Sequence, residues 1–354
     1  MIKDIDKRMH FTSQLAETNI AVHNVMEDVF SAHGMTKPEF EGDFFRRMPT
    51  EVAKKVSPSI AELHMQAAGG RIRFVTDSDY IGIHAHLDNP WKISNMSLAG
   101  TAGFDLYRTE DGKQKHIKAF IPPPEIVDDF CGEMYLSKKK LYEYTLYFPI
   151  FSKVKSLDII LKNGATLEKA KEYTFPKPVV YYGSSITHGG CVSRAGISYP
   201  AIISQKLDCD FLNLGFSGSA KGEDAMAEYI SELDMSVFVY DYDYNSDYQE
   251  LCQNHEKMFK IIRAKKPDLP IICVSKPDYS YNPEENEKRL QCILKTVTNA
   301  QANGDKNVYF ISGNSFFDEF PLRDYAFVDG CHPNDIGNWC MATVIGKKVK
   351  EVLK

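Results

Sequence analysis

The hydrophobic pattern of this chain changes period partway along, and that change constrains the fold more than any other feature. From about Phe44 to Leu161 apolar residues recur at every second position, as in Arg71-Ile72-Arg73-Phe74-Val75, in Tyr80-Ile81-Gly82-Ile83-His84-Ala85-His86, and in the stretches Leu141 to Phe148 and Val154 to Leu161. Side chains of a strand point alternately to its two faces, so these segments read as antiparallel strands with one face buried. Turn formers such as Thr109-Glu110-Asp111-Gly112 and Lys162-Asn163-Gly164 separate them. An antiparallel, jelly-roll-like β-sandwich over residues 1–172 is expected, with Glu17 to His33 as a candidate helix.

From Pro178 onward strands and helices alternate. Strands are expected at Val179 to Tyr182, Phe211 to Leu214, Val237 to Asp241, Ile271 to Ser275 and Val308 to Ile311. Helices are expected at Tyr199 to Leu207, Glu223 to Leu233, Gln249 to Ala264, Pro283 to Ala302 and Asp335 to Val352. Short apolar strands separated by helices make a parallel, doubly wound sheet, here a flavodoxin-like α/β/α domain over 176–354. Pro176-Lys177-Pro178 is the expected seam between the two domains, across which the sandwich can pack and wall the cleft of the α/β domain.

Charge narrows the partners. Lys and Arg total 42 against 48 Asp and Glu, a formal charge of −6, with no polybasic stripe and no run of like charge. That argues against nucleic acid and anionic membrane as partners. No stretch reaches the roughly 18 apolar residues of a membrane span. Met-Ile-Lys-Asp-Ile-Asp-Lys carries acids where a signal peptide needs a basic and then an apolar segment, so a cytoplasmic location is expected. The eight cysteines form no CxxC pair, and several lie in apolar runs, which suits reduced core thiols.

Ligands of a doubly wound sheet sit beyond the carboxyl ends of its strands, so the polar residues there are the ones to read for chemistry. The first strand runs into Gly183-Ser184-Ser185-Ile186-Thr187-His188-Gly189-Gly190, and the second ends in Asn213-Leu214-Gly215-Phe216-Ser217-Gly218-Ser219. The third delivers Tyr240-Asp241-Tyr242-Asp243-Tyr244-Asn245, and Asp329-Gly330-Cys331-His332-Pro333 precedes the final helix. A serine in a glycine-rich turn more often caps or turns the chain than attacks a substrate. Asp329 and His332, however, are three residues apart in one loop, close enough for the carboxylate to fix the imidazole tautomer that a general base needs. Serine, oriented histidine and donors from two other strand ends are the equipment of acyl transfer, and the conjunction is far more specific than its parts.

In order and strand position these segments resemble the four sequence blocks of the SGNH (GDSL-type) hydrolases, and Gly103-Phe104-Asp105-Leu106-Tyr107 resembles the GxDLY signature of the N-terminal domain in a two-domain esterase subfamily. The resemblance implies Ser185 as nucleophile and His332 with Asp329 as base and orienter. It implies an oxyanion hole from the N–H groups of Ser185 and Gly218 and the amide of Asn245. Ser184 stands where the wider family has an acid, and the third block reads Asp-Tyr-Asp-Tyr-Asn; both are similar to the two-domain subfamily. A serine esterase is therefore expected, acting without cofactor or metal on short acyl groups, acetyl first, carried by a small molecule or oligosaccharide. The alternatives are a lipid or thioester acylhydrolase, an acyltransferase, and a glycan-binding scaffold without catalysis.

Several residues invite other readings. Ser217 sits in Gly-Phe-Ser-Gly but lacks the final glycine of a Gly-x-Ser-x-Gly elbow. His84 and His86 share one face of a strand and raise the thought of a metal, as do His188 with Cys191 and Cys331 beside His332; surface, lining or core roles are the commoner outcome. Tyr242 and Tyr244, with Tyr240, Tyr279 and Tyr281, are candidates for a flat rim under a sugar ring, against core packing. Arg194 reads first as a loop brace and second as a substrate contact.

Overall fold

The computed structural model describes residues 14–125, 128–277, 282–319 and 321–354. In the N-terminal half the strands are β1 (Ile20–Asn24), β2 (Ser31–His33), β3 (Arg71–Thr76), β4 (Tyr80–Asp88), β5 (Phe104–Glu110), β6 (Lys113–Phe120), β7 (Asp129–Tyr135), β8 (Tyr142–Tyr147), β9 (Lys153–Lys162) and β10 (Leu167–Lys169). They form two antiparallel sheets, β1-β9-β4-β7 and β10-β3-β8-β5-β6, with β2 added to β3. The alternation in β4 sorts its side chains: Ile81, Ile83, Ala85 and Leu87 enter a core shared with Phe74, Leu106 and Leu146 of the other sheet. His84 and His86 face outward, where the Asp129 carboxylate lies 2.7 Å from His84 Nε2.

Two expectations for this half are corrected. Glu17 to His33 is no helix: β1 and β2 are joined by a turn in which Asn24 Oδ1 accepts from Met26 N–H at 3.0 Å and Glu27 Oε1 accepts from Asn24 N–H at 2.9 Å. Side-chain bonds of this kind compete directly with helical ones. Within the span read as purely period-two lie three short helices, α1 (Thr50–Val56), α2 (Pro58–Leu63) and α3 (Leu98–Thr101).

The second half contains β11 (Phe175–Gly183), α4 (Ser185–His188), α5 (Tyr199–Leu207), β12 (Cys209–Gly215), α6 (Asp224–Glu232), β13 (Val237–Asp241), α7 (Tyr248–Lys265), β14 (Ile271–Val274), α8 (Pro283–Ala302), β15 (Val308–Ile311) and α9 (Asp335–Val352). Its sheet is parallel throughout, in the order β12-β11-β13-β14-β15, which is the flavodoxin-like arrangement. Both faces are covered. Val179 and Tyr181 pack toward α5 and α9, while Val180 and Tyr182 pack toward α6, α7 and α8.

The two halves share core. Ala53, Ile60 and Leu63 of α1 and α2 join Met226 and Met258 on one face of the parallel sheet, while Tyr107, Tyr147, Ile150 and Phe151 join the cluster on the other. Two fully buried arginines cross the junction. Arg47 donates to Leu63 O at 2.9 Å and, from Nη1, to Asn213 O and Gly215 O at 3.0 and 2.6 Å. Arg71 donates to Phe211 O at 3.1 Å and pairs with Asp210. Burial pulls the Arg47 guanidinium down to about 9.

The GxDLY segment forms a clasp at this junction. Asp105 Oδ2 accepts from Arg194 Nη1 at 2.8 Å and from Gly196 N–H at 2.9 Å, its Oδ1 lies 2.9 Å from His116, and Tyr107 bonds the same guanidinium. Gly103 packs against Ala99 O so closely that a Cβ would stand 2.6 Å from it. Arg194 is thus a brace, the first of its two readings, with Nη1 shared between Asp105 and Tyr107.

Candidate active site

In a sheet of this order the first and third strands are neighbours, and their carboxyl ends form the crevice where the chain reverses its direction of winding. Gly183 and Asp241 pair there. A Cβ on Gly183 would lie 2.2 Å from Asp241 O and 2.0 Å from Thr187 Oγ1, so only glycine lets the strand turn so tightly into α4. Ser184 caps α4 by accepting from Ile186 N–H at 3.2 Å, which leaves Ser185 on the first helical position and partly exposed. Beneath it Thr187 and Tyr199 donate to Asp241 Oδ2 at 3.1 and 3.0 Å. Full burial pushes the Asp241 carboxyl up to about 8, although these two bonds pull the other way.

The turn before α9 brings the other partners. Asn334 caps that helix, accepting from Ile336 and Gly337 N–H, and its own amide donates to Tyr325 O at 2.6 Å. The tightened loop sets His332 Nε2 at 2.9 Å from Ser185 Oγ, and His332 Nδ1 at 2.8 Å from Asp329 Oδ2. Asp329 Oδ1 accepts from the N–H groups of His332 and Cys331 at 2.8 and 3.1 Å. Partial burial opposes ionisation of Asp329, but these bonds and one from Asn95 outweigh it and hold the carboxyl well below the usual range. Gly190 allows the His332 ring its close approach, since a Cβ there would lie 3.3 Å from Cδ2.

Gly218 tops an exposed turn at φ +69°, with nothing within 4 Å of where a Cβ would stand. Asn245 lies in a short turn pinned by the buried pair of Arg289 Nε with Asp243 at 2.7 Å. One N–H of its amide is given to Phe216 O at 3.0 Å, which ties the third strand end to the Gly218 turn and leaves a second N–H of the same group.

Other expected residues fall elsewhere. Tyr242 is buried among Tyr182, Tyr240 and His255 under α7, which corrects its placement on a substrate rim; Tyr240 is buried with it. Tyr244 stays half-buried at the strand end, with the Lys276 ammonium 4.7 Å from its ring centroid. Tyr279 and Tyr281 lie outside the described residues. His188 is core: Nε2 meets Ile150 O at 3.0 Å, Nδ1 accepts from Ser217 N–H at 3.3 Å, and burial holds its pKa well below the ordinary value. Cys191, Asp329 and His332 bring donor atoms within 4.8 Å of one another. Two of those residues are the hydrogen-bonded pair itself, and burial pushes the Cys191 thiol up to about 12. Sequence reasoning missed Asn95, whose Nδ2 donates to Asp329 Oδ2 at 2.8 Å from the other domain, and no local signal marks it.

The comparisons agree with this architecture. The GDSL-like lipase/acylhydrolase family model matches residues 176–350, and the model for the N-terminus of SGNH-type esterases, GxDLY, matches residues 21–167. The chain is an SGNH-type carboxylic ester hydrolase. It belongs to the two-domain group in which a GxDLY domain precedes the hydrolase domain. Among solved structures it is similar to a GDSL-like lipase candidate from Bacteroides ovatus, with 28% identity, a TM-score of 0.84, and 95% of this chain and 99% of that one covered. A salicylyl-acyltransferase from a tetracycline biosynthetic pathway shares the fold at 18% identity and TM-score 0.75, with 95% and 99% covered. So does an acetyl xylan esterase from the rumen bacterium Butyrivibrio proteoclasticus, at 11% identity and TM-score 0.59, with 94% and 98% covered. No curated protein matches in sequence. No helix among the described residues is long and apolar enough to cross a membrane.

Proposed function

We propose that this hydrolase removes short acyl groups, acetyl foremost, from a carbohydrate ester by way of an acyl-enzyme on Ser185. The observation that carries the mechanism is the unbroken relay from Ser185 Oγ through His332 to Asp329, at 2.9 and 2.8 Å. Ser185 Oγ attacks the ester carbonyl while His332 Nε2 takes its proton. The oxyanion so formed is met by the N–H groups of Ser185 and Gly218 and by the second N–H of Asn245. The proton then passes from His332 to the leaving alcohol, and water, deprotonated by the same imidazole, releases the acid. Asp329 stays ionised throughout and holds the imidazole in place. The carbohydrate part of the reading draws support from the acetyl xylan esterase that shares the fold.

The test pairs a chromogenic acetyl ester with a panel of acetylated sugars, read by acetate release. Ser185→Ala is expected to lower turnover by on the order of 10⁴ to 10⁶ while the protein stays folded. Ser217→Ala, whose hydroxyl bonds no imidazole among the described residues, is expected to do far less. Reversal of the two effects would overturn the nucleophile. Glycan binding without turnover would favour the scaffold, and transfer to an added alcohol in preference to water would favour an acyltransferase.

A further inference from the structure

We propose that Asn95, in the N-terminal β domain, is a positioning residue that fixes the Asp329 carboxylate so that His332 faces Ser185. The proposal rests on the catalytic reading above. Asn95 Nδ2 donates to Asp329 Oδ2 at 2.8 Å, across 234 positions of sequence. That oxygen is the one facing His332 Nδ1, also at 2.8 Å, whereas Oδ1 is held by backbone N–H groups of its own turn. The turn is open: the Asp329 side chain is about a third exposed, and Gly330 beside it, at φ +79°, has nothing within 4 Å of a Cβ. Besides the imidazole, the donor to Oδ2 comes from the other domain.

The segment carrying Asn95 is itself seated on the loop that follows the nucleophile. Ser97 Oγ donates to Ser193 O at 2.6 Å, and a Cβ on Gly100 would stand 2.7 Å from Val192 O. Ile93 and Met96 pack on the core of the catalytic domain. Facing the Asp329–His332 pair are also the Ser185 hydroxyl, the Cys191 thiol and Cys331; Asp335, at the start of α9, is turned to Ser193 N–H at 2.8 Å. A donor on Oδ2 restrains rotation of the carboxylate and draws off part of its charge. Without it the acid turns more freely, and more charge faces the imidazolium. Turnover then falls, and the acidic limb of kcat/KM moves to higher pH.

The experiment uses the full chain and a small chromogenic acetyl ester, with pH profiles for Asn95→Ala, Asn95→Asp, Asp329→Ala, the Asn95→Ala/Asp329→Ala pair, Ser97→Ala and Ser185→Ala. Asn95→Ala is expected to lower kcat about tenfold with little change in KM, since a misplaced base costs rate more than binding. Asn95→Asp, nearly isosteric but setting a second carboxylate against Asp329, is expected to lower kcat further and to move the acidic limb upward. With Asp329 already removed, Asn95→Ala should cost nothing more. Ser97→Ala, which breaks a neighbouring contact between the domains, should leave the acidic limb in place. The proposal is overturned if the Asn95 variants change only Tm or KM, or if Asn95→Ala costs the same with and without Asp329. Turnover surviving in Ser185→Ala would instead remove the catalytic reading itself, whereas an inactive Ser185→Ala beside a silent Asn95 series would remove only the role of Asn95.

Discussion

The Tyr199 hydroxyl lies 3.0 Å from Asp241 Oδ2, directly beneath the turn that presents Ser185, and the carboxyl it touches is one that burial keeps protonated to about pH 8. The folded chain therefore holds a proton that the unfolded chain gives up at about pH 4. Its contribution to stability is complete below about pH 4 and is lost as pH rises toward 8. Asp241→Asn should flatten the fall of Tm between pH 4.5 and 8.5 and be more stable than the parent at the alkaline end. Parallel Tm profiles for the two proteins would show that Asp241 is ionised in the fold.

Asn245→Ala is expected to lower kcat by on the order of 10² to 10³ with a smaller change in KM, because an oxyanion donor binds the transition state more strongly than the ground state. Tyr242→Phe, in the core, should leave both constants as they are. Steady-state kinetics on one acetyl ester decides both; an unchanged kcat in Asn245→Ala would remove the amide from the oxyanion hole.

Asp105→Ala should destabilise the chain by on the order of 3 kcal/mol, since it strands a largely buried guanidinium and a buried Gly196 N–H that the carboxylate now satisfies. Chemical denaturation measures the loss. Below the melt kcat should change far less than stability, as befits a clasp.

The sequence alone leads to the expectation that a chain beginning near Pro176 folds with a cooperative melt. The structure reverses it: such a chain lacks α1, α2, Ile150, Phe151 and the two arginines that cap carbonyls of β12, and it is expected not to melt cooperatively. Differential scanning calorimetry of that fragment is the check. A sharp transition would mean that the α/β half closes its core unaided.

The parallel half was legible because each of its elements carries its own period, and strands such as Val237–Asp241 and Val308–Ile311 lie where the pattern put them. The meeting of Ser185 with His332 and Asp329 was legible because one follows the first strand and the other two precede the last helix, at the same end of the sheet. The helical reading of Glu17 to His33 failed because Asn24 and Glu27 spend their side chains on a turn. The tyrosines misled because Tyr240 and Tyr242 do share a face, but α7 covers it, and burial by a distant helix leaves no mark on the strand. Asn95 was invisible for the same reason, its partner being supplied by tertiary folding alone.

The docking of α1 and α2 on the parallel sheet has a consequence for how the protein is made. During synthesis the N-terminal half emerges first. Ala53, Ile60 and Leu63, which pack on one face of the catalytic sheet, are therefore synthesised before β11 and β12. A circular permutant that began at Pro176 would be born in the opposite order, with Met226 and Met258 lacking their neighbours Ala53, Ile60 and Leu63 until the N-terminal half followed.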